Sequence, residues 1–304
     1  MDKIKRSLVV ITALCMMLVS GCSKSSSSQD DTSSSAAESS SEAVKESGDP
    51  SAADSSETQS PKQEGLSDRI KKAAAFFDNE EYEYVCKVNG TGIDATITLV
   101  KNKGMYRQTT DYGIGQAYVI CDGSNTYCYD TLTKCFIKEV GKIQTEPAGN
   151  IITETVKNEL QRTSTHVNAQ DAKTYDAEEY TYTGGTYITV LDFYFDKTSG
   201  DLKKYTATYS VEGRDDDVET REIVKMSTKD ITALSFKERA LREEYADYNS
   251  LTQDKREELC KKIMTERKMT DDDLYNAGLT VYDLKNVSYE KFFTAVVGAA
   301  AKKA

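Results

Sequence analysis

The stretch FYFDKTSGDLKKYTATYSV, Phe193 to Val211, decides how the folded part of this chain is built. Its second half alternates cleanly. Tyr205, Ala207, Tyr209 and Val211 point one way, and Lys204, Thr206, Thr208 and Ser210 the other. A period of two places each set on one face of a β-strand. The first half continues an apolar run, Tyr187 to Phe195, with apolar residues at both phases, the pattern of a central strand covered on each side. Between them Asp196-Lys197-Thr198-Ser199-Gly200-Asp201 has the composition of a tight connection, so two antiparallel strands are expected.

Outward from this hairpin the same period recurs. Tyr82, Tyr84, Cys86 and Val88 alternate with polar neighbours in 82–89, as do Ile93, Ala95, Ile97 and Leu99 in 93–99. Further strands are expected at 104–109, 117–121, 126–130 and 135–140, then at 179–183 and 220–226. The turn Asp122-Gly123-Ser124-Asn125 and the segment 131–134 join members of the first group. Two helical patterns interrupt them. Ser67 caps a helix that presents Ile70, Ala73, Ala74 and Phe77, and residues 150–161 place Ile152, Val156 and Leu160 at four-residue spacing. The order is helix, six strands, helix, four strands: an α+β fold with one large antiparallel sheet over residues 66–232. From 233 to 304 the two-residue period is lost. Residues 236–248 and 253–267 read as helices, Thr270 to Asp273 as a capping box, and Ser288 as the start of a helix carrying Phe292, Phe293, Val296 and Val297.

The N-terminus is different. Residues 1–6 carry three cations and one anion, and Ser7 to Val19 is almost wholly apolar. That run falls short of the ~20 residues a membrane-spanning helix needs, and it has the form of a secretory signal. Val19-Ser20-Gly21-Cys22 matches the bacterial lipobox, so 1–21 resembles a lipoprotein signal peptide. The resemblance implies cleavage before Cys22, diacylglycerol on its thiol, and a protein anchored at the extracytoplasmic face of the cell membrane. Two acyl chains give a stable anchor where one is marginal. The residue after it, Ser23, is not Asp. Residues 23–65 hold sixteen serines, nine acids and three lysines without an aromatic, a composition that cannot offset chain entropy by burial, so 22–65 is read as anchor and disordered spacer.

The chain carries 50 acidic against 39 basic residues, a formal charge of −11. That argues against nucleic-acid binding, which needs clustered cations, and against electrostatic adhesion to anionic lipid. No nucleotide fingerprint is present: Gly90-Thr91-Gly92 and Gly113-Ile114-Gly115 lack the third glycine and the strand-to-helix setting. Asp215-Asp216-Asp217 lacks the glycine and distal glutamate of a calcium loop. The lone His166 lies in a polar stretch. A Cys–His dyad would need a cysteine beside it in space, and an exposed loop residue is the simpler reading. Cysteines 86, 121, 128, 135 and 260 follow the signal. If Asp122–Asn125 pairs residue 121 with 126, Cys121 and Cys128 lie diagonally at roughly 7–8 Å, beyond the ~6.8 Å Cα reach of a disulfide. Buried thiols are favoured over a bridge, and the seven-residue spacing is not a zinc pattern. No cofactor, metal or catalytic residue is expected.

Two segments carry a family resemblance. YVICDGSNTYCYD, Tyr118 to Asp130, and FYFDKTSGDLKKY, Phe193 to Tyr205, are similar to hairpins of the LolA/LppX-like envelope proteins, over residues 66 to about 230. The resemblance implies a strongly curved half-barrel closed by helices, which binds an acyl chain or lipoprotein non-covalently and has no catalytic residues. The chain departs from it in lacking tryptophan and in its C-terminal segment. Its 19 tyrosines and 8 phenylalanines suit a wall apolar in body and wet at the tip, and equally a β-rich core with surface tyrosines. The expected function is binding of an apolar ligand, a lipid or acyl chain, on the concave side of the sheet. The alternative is a structural or regulatory module that binds another envelope protein through its C-terminal helices.

Overall fold

The computed structural model describes residues 65–302 except 91–93, 141–150, 164–170, 185–186, 212, 214 and 232–244. The fold is α+β. Six strands form the first group: β1 (Glu81–Asn89), β2 (Ala95–Asn102), β3 (Met105–Asp111), β4 (Gln116–Cys121), β5 (Asn125–Asp130) and β6 (Cys135–Val140). The second group is β7 (Gln161–Thr163), β8 (Tyr175–Gly184), β9 (Tyr187–Asp196), β10 (Leu202–Val211) and β11 (Asp217–Ser227), followed by the short β12 (Ala246–Asp247). The helices are α1 (Asp68–Ala75), α2 (Ile151–Lys157), α3 (Asp171–Thr174), α4 (Gln253–Glu266), α5 (Asp271–Asn276) and α6 (Tyr289–Ala301).

All twelve strands make one unclosed sheet in the order β12-β6-β5-β4-β3-β2-β1-β11-β10-β9-β8-β7. Neighbours are antiparallel except β12, which runs parallel to β6. The chain therefore builds one meander, crosses through α2 to the far edge, and returns to pair β11 with β1 in the middle.

The two Asp-Gly connections set the hairpins. Asp122 Oδ1 accepts from the Ser124 and Asn125 amides at 2.8 Å, and Gly123 takes a φ of +88° that a side chain would strain. Asp196 Oδ1 accepts from Thr198 and Ser199, and hydrogen bonds to these amides hold its carboxyl below the usual range. In the first hairpin Cys121 pairs with Thr126 and Val119 with Cys128, the register read from the turn.

One face of the sheet carries most of the core, and a smaller buried cluster of Ile120, Tyr129 and Phe136 lies on the other. Register places Tyr82, Tyr84, Cys86 and Val88 of β1 on the same face as Ile97 and Leu99 of β2, Tyr205 and Ala207 of β10, and Leu191 and Phe193 of β9. These residues form one buried cluster with Ile70 and Ala74 from α1, Phe77 from the turn that follows it, and Ile152 from α2. A second cluster joins Ala95, Tyr112, Leu132, Cys135 and Ile137, from strands and their connections, to Cys260, Leu274, Leu284, Phe292, Phe293, Val296 and Val297 of the C-terminal segment. Half-buried Cys128 packs against both clusters.

The C-terminal helices are tied to the sheet by Asp130. This buried carboxylate accepts from the Leu132 and Thr133 amides, from the Thr133 hydroxyl, and from the Tyr289 hydroxyl at 2.6 Å. α5 begins with a capping box in which Thr270 and Asp273 satisfy each other's orphan groups, and Lys302 bridges Asp273 at 3.0 Å. Burial opposes the Asp273 charge, but the Thr270 and Lys302 hydrogen bonds outweigh it and hold its pKa low.

Several expectations are corrected. The run Tyr187 to Phe195 is not covered on both faces: Leu191, Phe193 and Phe195 are buried, while Val190 and Tyr194 on the opposite face are half-buried. The Lys204 ammonium lies 4.4 Å from the Tyr194 ring centroid, an amphipathic covering in place of a second layer. The helix expected over 150–161 stops at Lys157, because Glu159 turns left-handed at φ 49° and Gln161 opens β7. Of the helix expected over 236–248, residues 236–244 lie outside the described residues. Its last part is extended: Ala246 pairs beside Cys135, and Tyr248 then buries its ring and donates to the Val287 carbonyl at 3.1 Å. Ten strands were expected and twelve are present, the additions being the short β7 and β12. Gly115 lies against Leu132, whose Cδ2 an added Cβ would meet at 2.5 Å.

Two substitutions test this packing. Asp130→Ala leaves two buried amides and two hydroxyls without their acceptor and should cost about 3–5 kcal/mol in urea unfolding, with Tyr289→Phe costing about 1–2 kcal/mol. Because the Asp273 pKa is lowered in the fold, its contribution is present above the unfolded value of about 3.9 and is lost as pH falls through the folded pKa. The stability difference between wild type and Asp273→Asn, about 1 kcal/mol at pH 7, should therefore shrink toward zero on acidification.

Candidate functional site

The covered face is mainly apolar, but buried polar side chains interrupt it: Gln108 on β3, Asp130 on β5, Glu178 on β8, and on β11 Glu219 and Arg221, two residues apart. Arg221 lies opposite Val88 on β1 and Tyr205 on β10, and the next inward residue, Ile223, lies opposite Cys86. Arg221 is 8% exposed, Glu219 5% and Tyr205 1%. Arg221 Nε donates to Glu219 Oε1, and the guanidinium carbon sits 5.8 Å from the Tyr205 ring centroid. Burial disfavours the Arg221 cation, but the adjacent Tyr205 and Glu219 favour it, so Arg221 keeps its charge.

Arg221 spends its Nε–H on Glu219. The buried Tyr84 hydroxyl has no hydrogen-bond partner among the described residues; the Cys86 thiol perturbs it without hydrogen-bonding geometry. Tyr205 and half-buried Tyr209 add their hydroxyls. Burial pushes the Tyr209 phenol up to about 12, and moves Tyr84 and Tyr205 the same way, so all three are neutral donors at neutral pH. An unmet donor in a low-dielectric interior is costly, and native proteins keep few of them.

Two openings lie elsewhere on the same half of the sheet. One, about 320 Å³, runs between α1 and the ends of β10 and β11, over Ala73, Phe76, Leu202, Ile223 and Met226. Two bulges shape it. Lys203 is the extra residue between Leu202 and Lys204, and Val224 the extra residue between Ile223 and Lys225. Its cations are engaged: Lys72 and Lys203 share Asp201, and Lys225 bonds Glu83 at 2.8 Å. The other, about 680 Å³, is a polar basin beside the start of α1. Its Arg69 pairs with Asp176, and its Glu178 accepts from the Ser67 and Tyr180 hydroxyls.

Cys22 and His166 lie outside the described residues. Cys86, Cys121, Cys128, Cys135 and Cys260 are free thiols, and all but Cys128 are buried. Burial pushes the Cys260 thiol up to about 11 and Cys135 to about 12, away from the nucleophilic thiolate. Asp217 begins β11 beside Tyr209, and no group of three potential metal ligands occurs among the described residues. The residues that sequence reading passed over are Glu219 and Arg221. Period two along β11 puts both on the face of Ile223, and a charge at such a position is the signal that marks them.

No protein-family model matches the chain, and no curated protein matches it.

Alkylation at pH 8 followed by mass analysis should leave Cys86, Cys121, Cys135 and Cys260 unmodified in the folded chain, with Cys128 reacting first and all five reacting in denaturant. Rapid labelling of Cys86 without denaturant would contradict the closed interior.

Proposed function

We propose that this chain is a lipid-anchored extracytoplasmic protein that binds an apolar-bodied ligand, without catalysis, on the helix-covered side of the sheet. The anchor reading rests on Val19-Ser20-Gly21-Cys22 and the serine-rich spacer. In this reading the sheet is strongly curved, a half-barrel of the LolA/LppX-like kind. Support comes from a covered face extending through β1–β6 and β8–β11, with the two larger apolar clusters on it. The observation that carries the binding function is the Glu219–Arg221 pair and the Tyr84 hydroxyl, which has no hydrogen-bond partner among the described residues, buried among apolar side chains of that face. A site for an amphiphile needs a few polar groups among apolar walls. The high pKa values of the buried thiols and the paired state of the carboxylates favour binding over catalysis.

A second reading, docking to another envelope protein through the C-terminal segment, is favoured by Tyr275 and Tyr282, which are 63% and 89% exposed there.

Metabolic labelling with a fatty acid should modify wild type and spare Cys22→Ser; equal labelling would remove the anchor. The Cys22→Ser chain, purified without detergent, should carry a lipid-sized mass adduct in native mass spectrometry. A consistently empty chain that instead captures an envelope protein, and loses it on Tyr282→Ala, would favour the second reading.

A further inference from the structure

Resting on the reading that this face holds an apolar-bodied ligand, we infer that the groove between α1 and the ends of β10 and β11 takes a single-chain amphiphile with an anionic head, a fatty-acid carboxylate. The groove has about 320 Å³ of open space, which falls at the small end of the ~300–1,000 Å³ range of ligand pockets. Counted in water-sized units of about 30 Å³, that is room for roughly ten methylenes, one acyl chain and not two. Its walls are apolar. Ala73 and Phe76 of α1 and Ile223 and Met226 of β11 are half-buried at the margin of the larger core cluster, and Val224 is 59% exposed. These residues keep apolar surface in contact with water, and an acyl chain would cover it.

The rim sets the head. In a chain of formal charge −11, this groove is lined by four cations, Arg69, Lys72, Lys203 and Lys225, and by a single carboxylate, Asp201. Two of the four have carboxylates of their own outside the groove: Arg69 pairs with Asp176 at 3.0 Å and Lys225 with Glu83 at 2.8 Å. Lys72 and Lys203 share Asp201 at 3.8 and 4.0 Å, beyond hydrogen-bond distance. The Asp196 carboxylate also senses Lys203, but its Oδ1 is given to the Thr198 and Ser199 amides. Two ammonium groups against one carboxylate leave a positive charge to be met, and a second carboxylate can accept from both. An uncharged head leaves that charge as it stands, and a cationic head adds to it. Lysine stems lie along an acyl chain while the ammonium stays at the wet rim. Because both lysines are exposed, the pairing contributes a few-fold per lysine and is screened by salt.

The full chain carrying Cys22→Ser, stripped of lipid, is titrated at neutral pH and low salt with dodecanoate, 1-dodecanol and dodecyltrimethylammonium, each below its self-association limit. Dodecanoate should bind about tenfold more tightly than dodecanol, and dodecyltrimethylammonium more weakly than either. Lys72→Gln and Lys203→Gln should each weaken dodecanoate about threefold and leave dodecanol unchanged. The double variant, or high salt, should bring the two probes level. Ala73→Leu, which fills the groove, should weaken dodecanoate and dodecanol alike. Dodecanol or dodecyltrimethylammonium matching dodecanoate, or dodecanoate indifferent to the double lysine variant, would overturn the anionic head. Probes indifferent to Ala73→Leu would overturn the groove. Either result leaves an apolar ligand on the covered face intact, whereas binding of none of the three probes would overturn that reading itself.

Discussion

The structure is governed by one constraint: a twelve-stranded sheet whose alternation sends its apolar side chains predominantly to one face, with six helices among the described residues. An exposed face of that size would be an aggregation surface, so the helices other than the short α3 are used as cover. α1 and α2 take the part formed by β1, β2 and β8–β11, and the C-terminal helices take the part nearer β6. The C-terminal segment is therefore a lid on the sheet before it can be anything else. Asp130 shows how firmly it is attached, since one carboxylate joins the β5–β6 connection to α6.

Within the patch covered by α1 and α2 stands a charged pair on the inner face of β11. Keeping an ion pair there costs desolvation that an aliphatic pair would avoid, and leaving Tyr84 unsatisfied adds to the cost. Exposed positions on the same strand could hold a Glu–Arg pair without that penalty. The two bulges at Lys203 and Val224 sit one step along the same strands, where they twist β10 and β11 and open the groove beside α1. Regular pairing is thus relaxed beside the buried polar cluster, a departure from local regularity of the kind found at functional sites.

Much of the fold was legible from residue order because it is carried by short-range chemistry. Asp122-Gly123 and Asp196 through Gly200 fix their own turns through side-chain to backbone hydrogen bonds, so the Cys121–Thr126 register followed from the turn alone. Thr270 and Asp273 formed the expected capping box for the same reason. What was missed depends on partners distant in sequence. β12 is two residues whose extended form exists because β6 offers an open edge. Val190 and Tyr194 have the composition of a buried face, yet whether a second layer covers them is a tertiary fact. The candidate site was less legible than the fold. Glu219 and Arg221 lie in a strand rich in charges, and their inward direction emerges only with the pairing to Val88 and Tyr205.

The central claim is that the helix-covered face of the sheet holds a lipid. An experimental density map of the Cys22→Ser chain, purified from its own membranes without detergent, tests it most directly. The account predicts elongated lipid density against that face, and a map with none there would contradict it.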